Sequence, residues 1–171
     1  MRPIMGEKGV REDDPYDDLV QRATNLDLRH SLGFVEVLRI GSEKLAEELD
    51  IDVGEVEEAF RDEFELMPIY NGVAFPHHLY SDVERPSALL IRVRVGPSVH
   101  LDERRAHVRH HGRVFAVIFL LCPDTMPGAH MRILSQLTAR AEDPEFLERW
   151  LAADDVVSLK QLLSDEIDDT S

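Results

Sequence analysis

In 113-RVFAVIFLLCPDTMPGAHMRILSQLTARA-141 an apolar run gives way to a proline-containing loop and then to a helical pattern. Arg113 to Leu121 lacks polar alternation, so it reads as a central strand buried on both faces. Pro123, Pro127 and Gly128 break it. From Ala129 to Ala141 a helix is expected, with Met131, Leu134 and Leu137 facing inward. The single Cys122 ends the apolar run; it rules out an internal disulfide and reads as a buried structural thiol. His130 falls just past Pro127, where that helix begins. Free amides and the positive dipole end attract anions there. A histidine so placed tends to stay neutral and can donate to a phosphate oxygen; the alternative is an ordinary first-turn residue.

Upstream, Ser31 can N-cap a helix whose apolar positions are Leu32, Val35, Leu38, Leu45, Ala46 and Leu49. The run 52-DVGE-55 is a capping box for a second helix, with Val53, Val56, Ala59 and Phe60 apolar and an end near Arg61-Asp62. Gly72 to Phe75 is a short apolar strand, and 88-ALLIRVRV-95 passes into the alternation of a half-covered strand. Downstream, Asp143-Pro144 can start a helix through Phe146, Leu147, Trp150 and Leu151, and a last helix covers about 156–163. Two helices, three or more strands and three helices make an α/β domain with a mixed sheet flanked by helices. Residues 1–18 are polar and acid-rich and read as a tail or linker, 19–165 as the domain, and 166–171 as an acidic tail.

The second informative stretch is 70-YNGVAFPHHLY-80. Phe75 precedes a proline and is pushed to extended geometry, while Pro76 fixes its own φ and offers no amide. The peptide leading into His77 is therefore stiff. A histidine at a strand end can accept a phosphoryl group, bind a metal or simply sit at a turn. A nucleophilic one needs one ring nitrogen exposed and the other held by an acceptor. A third stretch, 100-HLDERRAHVRHHGR-113, places His107, His110 and His111 at i, i+3 and i+4. The matching acid or cysteine set of a zinc site is missing, so no metal is expected. Residues 85–113 hold seven arginines and two acids, a net +5 that suits an acidic partner, an anionic ligand or a solvated loop.

Composition narrows the function. The chain has 171 residues and a net charge of −15, which argues against nonspecific nucleic-acid binding and against anionic membrane surfaces. Lysine occurs only at Lys8, Lys44 and Lys160; an acid-rich, lysine-poor chain suits high ionic strength, the alternative being a plain acidic protein. The longest apolar run, 114-VFAVIFLLC-122, is far short of the about 20 residues that span a bilayer. The N-terminus has no apolar signal region, and a cytoplasmic location without direct membrane insertion is expected. There is no P-loop, G-x-G-x-x-G, nucleophile elbow or H-E-x-x-H.

Taken together, 61-RD-62, 71-NGVAFPH-77 and 123-PDTMPGAHMRILSQL-137 resemble the enzyme IIA domain of the bacterial phosphotransferase system, of the fructose/mannitol and nitrogen-regulatory type. The order and context match over roughly residues 20–165. The runs 143-DPEFLERWL-151 and 12-EDDPYDDLV-20 resemble the enzyme IIA-like C-terminal domains of bacterial amino-acid permeases and cation/proton antiporters. The resemblance implies that His77 is the phosphoryl-accepting residue and His130 its companion. It implies phosphate-binding roles for Arg61 and Gly72. It implies a histidine phosphocarrier and a membrane transporter domain, or another protein, as partners, and no cofactor. The chain departs from the family pattern before the motif, where 66-LMPIYNG-72 replaces a hydroxyl- and glycine-rich run. It departs again after it, where His78 stands in place of a small residue.

Overall fold

Ala116–Pro123 forms the middle of the sheet, and all eight of its residues are buried. Its side chains alternate between two cores. Ala116, Ile118, Leu120 and Cys122 point to one, and Val117, Phe119 and Leu121 to the other. A strand apolar on both faces needs helices on both, and this one has them. The computed structural model describes residues 15–29, 33–62, 69–93, 99–100 and 113–164.

In chain order the elements are α1 (Pro15–Arg22), β1 (Thr24–Leu28), α2 (Phe34–Leu49), α3 (Val53–Asp62), β2 (Ile69–Tyr70), β3 (Val73–Ala74), β4 (His77–Tyr80), β5 (Ser87–Val93), β6 (Val99–His100), β7 (Arg113–Val114), β8 (Ala116–Pro123), α4 (Pro127–Ala141), α5 (Phe146–Ala152) and α6 (Val156–Ser164). The main sheet runs β1-β5-β8-β3-β2, with β4 also paired to β8, and β6 pairs with β7 separately. It is mixed, as expected: β5 is antiparallel to β8, whereas β3 and β4 are parallel to it. One core packs α1, α4, α5 and α6 on the sheet, the other α2 and α3. No helix among the described residues is long and apolar enough to cross a membrane.

Several expectations are corrected. The supposed tail is helical from Pro15, because Tyr16, Leu19 and Val20 bury a helical stripe in the core and the Tyr16 hydroxyl donates to the Leu163 carbonyl at 2.7 Å. Ser31 and Leu32 lie outside the described residues; the helix they were to begin is described from Phe34, with Gly33 at its N-cap. Val35 is exposed, because the buried stripe is Val37, Leu38, Leu45 and Ala46, and two positions from Val37 is the opposite side. Of the 52–55 capping box only half forms: the Asp52 carboxylate accepts from the Glu55 amide at 3.2 Å. Val53 is exposed. In α4 the stripe is Ala129, Ile133, Leu137 and Ala141, which turns Met131 out to solvent at 62% exposure. The central strand is interrupted at Phe115, so β7 and β8 are separate.

β5 is not half-covered: all seven of its residues are buried, Arg92 included. The charge is tolerated because the guanidinium is fully engaged. Its Nε and Nη2 donate to Asp27 at 2.7 and 3.0 Å, and its Nη1 donates to the carbonyls of Trp150 and Ala153 at 2.9 and 2.7 Å. Arg92 thus joins β1, β5 and the end of α5. On the other face, a Cβ on Gly41 would lie 2.4 Å from the Phe119 ring, so glycine lets α2 approach the sheet.

Candidate functional site

Asn71 and Gly72 form the two-residue turn between β2 and β3, with φ of 48° and 83°. Asn-Gly is the pair that a type I′ hairpin turn prefers, because both residues need positive φ. The Asn71 amide donates to the Ala141 and Glu142 carbonyls at 2.9 and 3.3 Å, which ties the hairpin to the end of α4. The Gly72 carbonyl accepts from the amides of Phe115 and Ala116 at 2.8 and 3.3 Å. Gly72 thus holds the turn and its entry onto the central strands.

Beyond β3 the chain does not turn at the proline. β3 pairs with Ala116 and Val117, and β4 resumes alongside Leu120 to Pro123 on the same edge of β8. Pro76 donates no hydrogen bond, but its carbonyl accepts from the Leu120 amide at 2.9 Å, so the ladder crosses the break. His77 is therefore the first residue of a strand rather than the last. Its Nδ1 lies 2.9 Å from the Phe75 carbonyl oxygen. A carbonyl only accepts, so Nδ1 carries the proton and the neutral ring holds its lone pair on Nε2.

α4 brings His130 to the same place. The His77 and His130 rings lie 5.2 Å apart, centroid to centroid, with planes tilted by 38°. His130 is 5% exposed, and its Nδ1 is buried without a hydrogen-bond partner among the described residues. Burial first, then the charges of His77 and His78, lower its pKa to about 4. It is a neutral imidazole at pH 7, one turn into a helix whose N-cap, Met126, makes no side-chain cap. His78 points to the opposite face of β4, beside Tyr80 at 6.4 Å between ring centroids. The Tyr80 hydroxyl donates to Glu55 at 2.6 Å and couples β4 to α3. The hydrogen bond to Glu55, then burial, pushes the Tyr80 pKa up to about 12.

The pair His77 and His130 is thus together. Arg61 sits in the last turn of α3, exposed, with its Nη2 2.7 Å from Glu57. His107, His110 and His111 lie outside the described residues. Cys122 is buried, which pushes its thiol pKa up to about 12 and removes it as a nucleophile at neutral pH. Two contributors were missed in the sequence. Asn71 was signalled by the Asn-Gly dipeptide, whereas the Phe75 carbonyl is backbone and carries no residue signal.

A model of the family described as "Phosphoenolpyruvate-dependent sugar phosphotransferase system, EIIA 2" matches residues 30–166. The chain belongs to this family. Its fold is also that of solved EIIA proteins. The nitrogen regulatory protein IIA-Ntr from Neisseria meningitidis superposes with a TM-score of 0.70 at 21% identity, over 82% of this chain and 92% of that one. The mannitol IIA of Escherichia coli gives 0.62 at 21% identity, over 82% and 94%. The complex of Escherichia coli enzyme IIA-Mtl with phosphorylated enzyme IIB-Mtl gives 0.61 at 19% identity, over 81% and 93%. At such identities the likeness is one of fold. No curated protein sequence matches significantly.

Proposed function

We propose that this EIIA domain accepts a phosphoryl group on His77 Nε2 from a histidine phosphocarrier. The observation that carries the reading is the hydrogen bond between His77 Nδ1 and the Phe75 carbonyl, which places the nucleophilic lone pair on the other nitrogen. In the transfer the Nε2 lone pair forms the new N–P bond as the donor's P–N bond breaks, and that electron pair returns to the donor nitrogen. The proton stays on Nδ1, donated to the Phe75 carbonyl. His130 is neutral and carries one N–H to offer a phosphoryl oxygen. Such a step needs positioning and charge stabilisation more than further covalent help. Arg61 and Gly72 are assigned to binding the phosphate by family resemblance; Arg61 must leave Glu57 to do so. The test is transfer of labelled phosphate from phosphoenolpyruvate through the carrier system of the same source. Label on the unmutated domain and none on His77→Ala supports the reading. No label on either, with a control acceptor labelled, refutes it.

We further infer a regulatory role in the cytoplasm, as the cytosolic part of a secondary transporter. The similarity of 143-DPEFLERWL-151 to permease- and antiporter-linked domains supports this. The replaced run 66-LMPIYNG-72 favours, as a second reading, a domain that binds a partner or an anion without being phosphorylated. A gene whose reading frame continues upstream into apolar spans of about 20 residues supports the transporter assignment. A frame that starts at residue 1 favours a free-standing regulator.

A further inference from the structure

A cavity lies across the central strand from β4. Ser87 and His78 are the two neighbours of Leu121 on β8, one on each side. Two strand spacings, about 10 Å, therefore separate them. At Ser87 a cavity of about 290 Å³ opens, lined by Arg22, Glu48, Leu49, Arg85, Ser87 and Ala88. None of these residues serves the histidine pair.

Its lining carries both signs of charge. Arg22 is pinned: Nε donates to Asp18 at 2.8 Å and Nη2 to the Pro86 carbonyl at 2.7 Å. Arg85, next to Pro86, is exposed and makes no side-chain hydrogen bond among the described residues. Among the described residues, Glu48 is engaged on one oxygen only. The Thr24 hydroxyl donates to Oε1 at 2.6 Å, and Lys44 Nζ lies 3.9 Å from the same atom. Oε2 remains for a ligand. Leu49 and Ala88 add apolar surface to the lining.

We propose that this cavity binds a small zwitterion of the α-amino-acid type. The Arg85 fork takes the carboxylate, Glu48 Oε2 takes the ammonium group, and Leu49 and Ala88 cover an apolar side chain. A dianion would face Glu48, a metal cation would face two guanidinium groups, and an apolar molecule would desolvate Arg85 without return. The volume is close to the about 300 Å³ at which small-molecule sites begin. Residues 81–86 join the strand of His77 to this cavity, so a bound ligand fixes the segment that leaves β4.

The test is calorimetry on the full chain with each standard amino acid in turn. Two controls accompany each: the matched carboxylic acid without its amine, and the matched amine without its carboxylate. At least one amino acid is expected to bind saturably, and neither control. Arg85→Gln and Glu48→Gln are each expected to weaken binding about tenfold or more, with unchanged circular dichroism, because one partner of a charge pair is lost. Arg85→Lys, which keeps the charge and loses the fork, is expected to weaken it less. His77→Ala is expected to leave it unchanged, so failure of phosphotransfer and failure of this site are told apart. No saturable heat with any amino acid overturns the proposal. So does equal binding of the amine-free acid, or binding that both Arg85→Gln and Glu48→Gln leave intact.

Discussion

At neutral pH the His130 imidazole carries no charge, because burial and two neighbouring histidines make protonation costly. The unfolded chain binds that proton near the ordinary pKa of 6.5, the folded chain only near 4. Between those values the unfolded state holds more protons, so stability falls as pH falls through this window. The expected loss is roughly 1–3 kcal/mol by pH 4, given about 1.4 kcal/mol per pKa unit. His130→Gln should flatten that part of the curve, and thermal melts of both proteins across the window measure it. A phosphoryl group on His77 reverses the local electrostatics. Its negative charge favours protonated His130, whose pKa should rise in an NMR titration of the phosphorylated form. The candidate histidines were legible as residues, since Pro-His and a histidine after Pro127 are local patterns. The bond that sets the His77 tautomer was not, because its acceptor is a main-chain oxygen placed by the break at Pro76.

The elements show why some parts of the fold could be read and others not. β8 and α4 follow from an apolar run, a proline stop and a helical period. Which side of α4 is buried does not, because Met131 and Ile133 are equally apolar and only packing chooses between them. β4 was hidden by the rule that proline ends strands; the Leu120 amide carries the ladder past it through a carbonyl. Gly41 was unmarked, since its reason is the ring of Phe119 on another element. Gly41→Ala should cost about 1–3 kcal/mol by overpacking, measured as a lower midpoint in urea unfolding.

Across the whole molecule, one buried arginine holds three elements together. Arg92→Met would remove the ion pair with Asp27 and leave the carbonyls of Trp150 and Ala153 without the donor they have here. A loss of about 1–3 kcal/mol is expected, since buried main-chain carbonyls lose their donor. Urea unfolding checks it, and a loss below about 1 kcal/mol would mean that solvent reaches the site easily. In the sequence Arg92 looked like part of a basic, half-exposed strand; only the placement of β1 and α5 revealed its partners. The mixed sheet with helices on both faces was legible, because it follows from the order of apolar runs. The central claim is that this scaffold presents His77 Nε2 as a phosphoryl acceptor. Long-range ¹H–¹⁵N NMR of the chain after incubation with its carrier system tests it directly. Phosphate on His77 Nε2, with the Nδ1 proton retained, is the predicted result; phosphate on Nδ1, on another histidine, or on none beside a labelled control acceptor would contradict it.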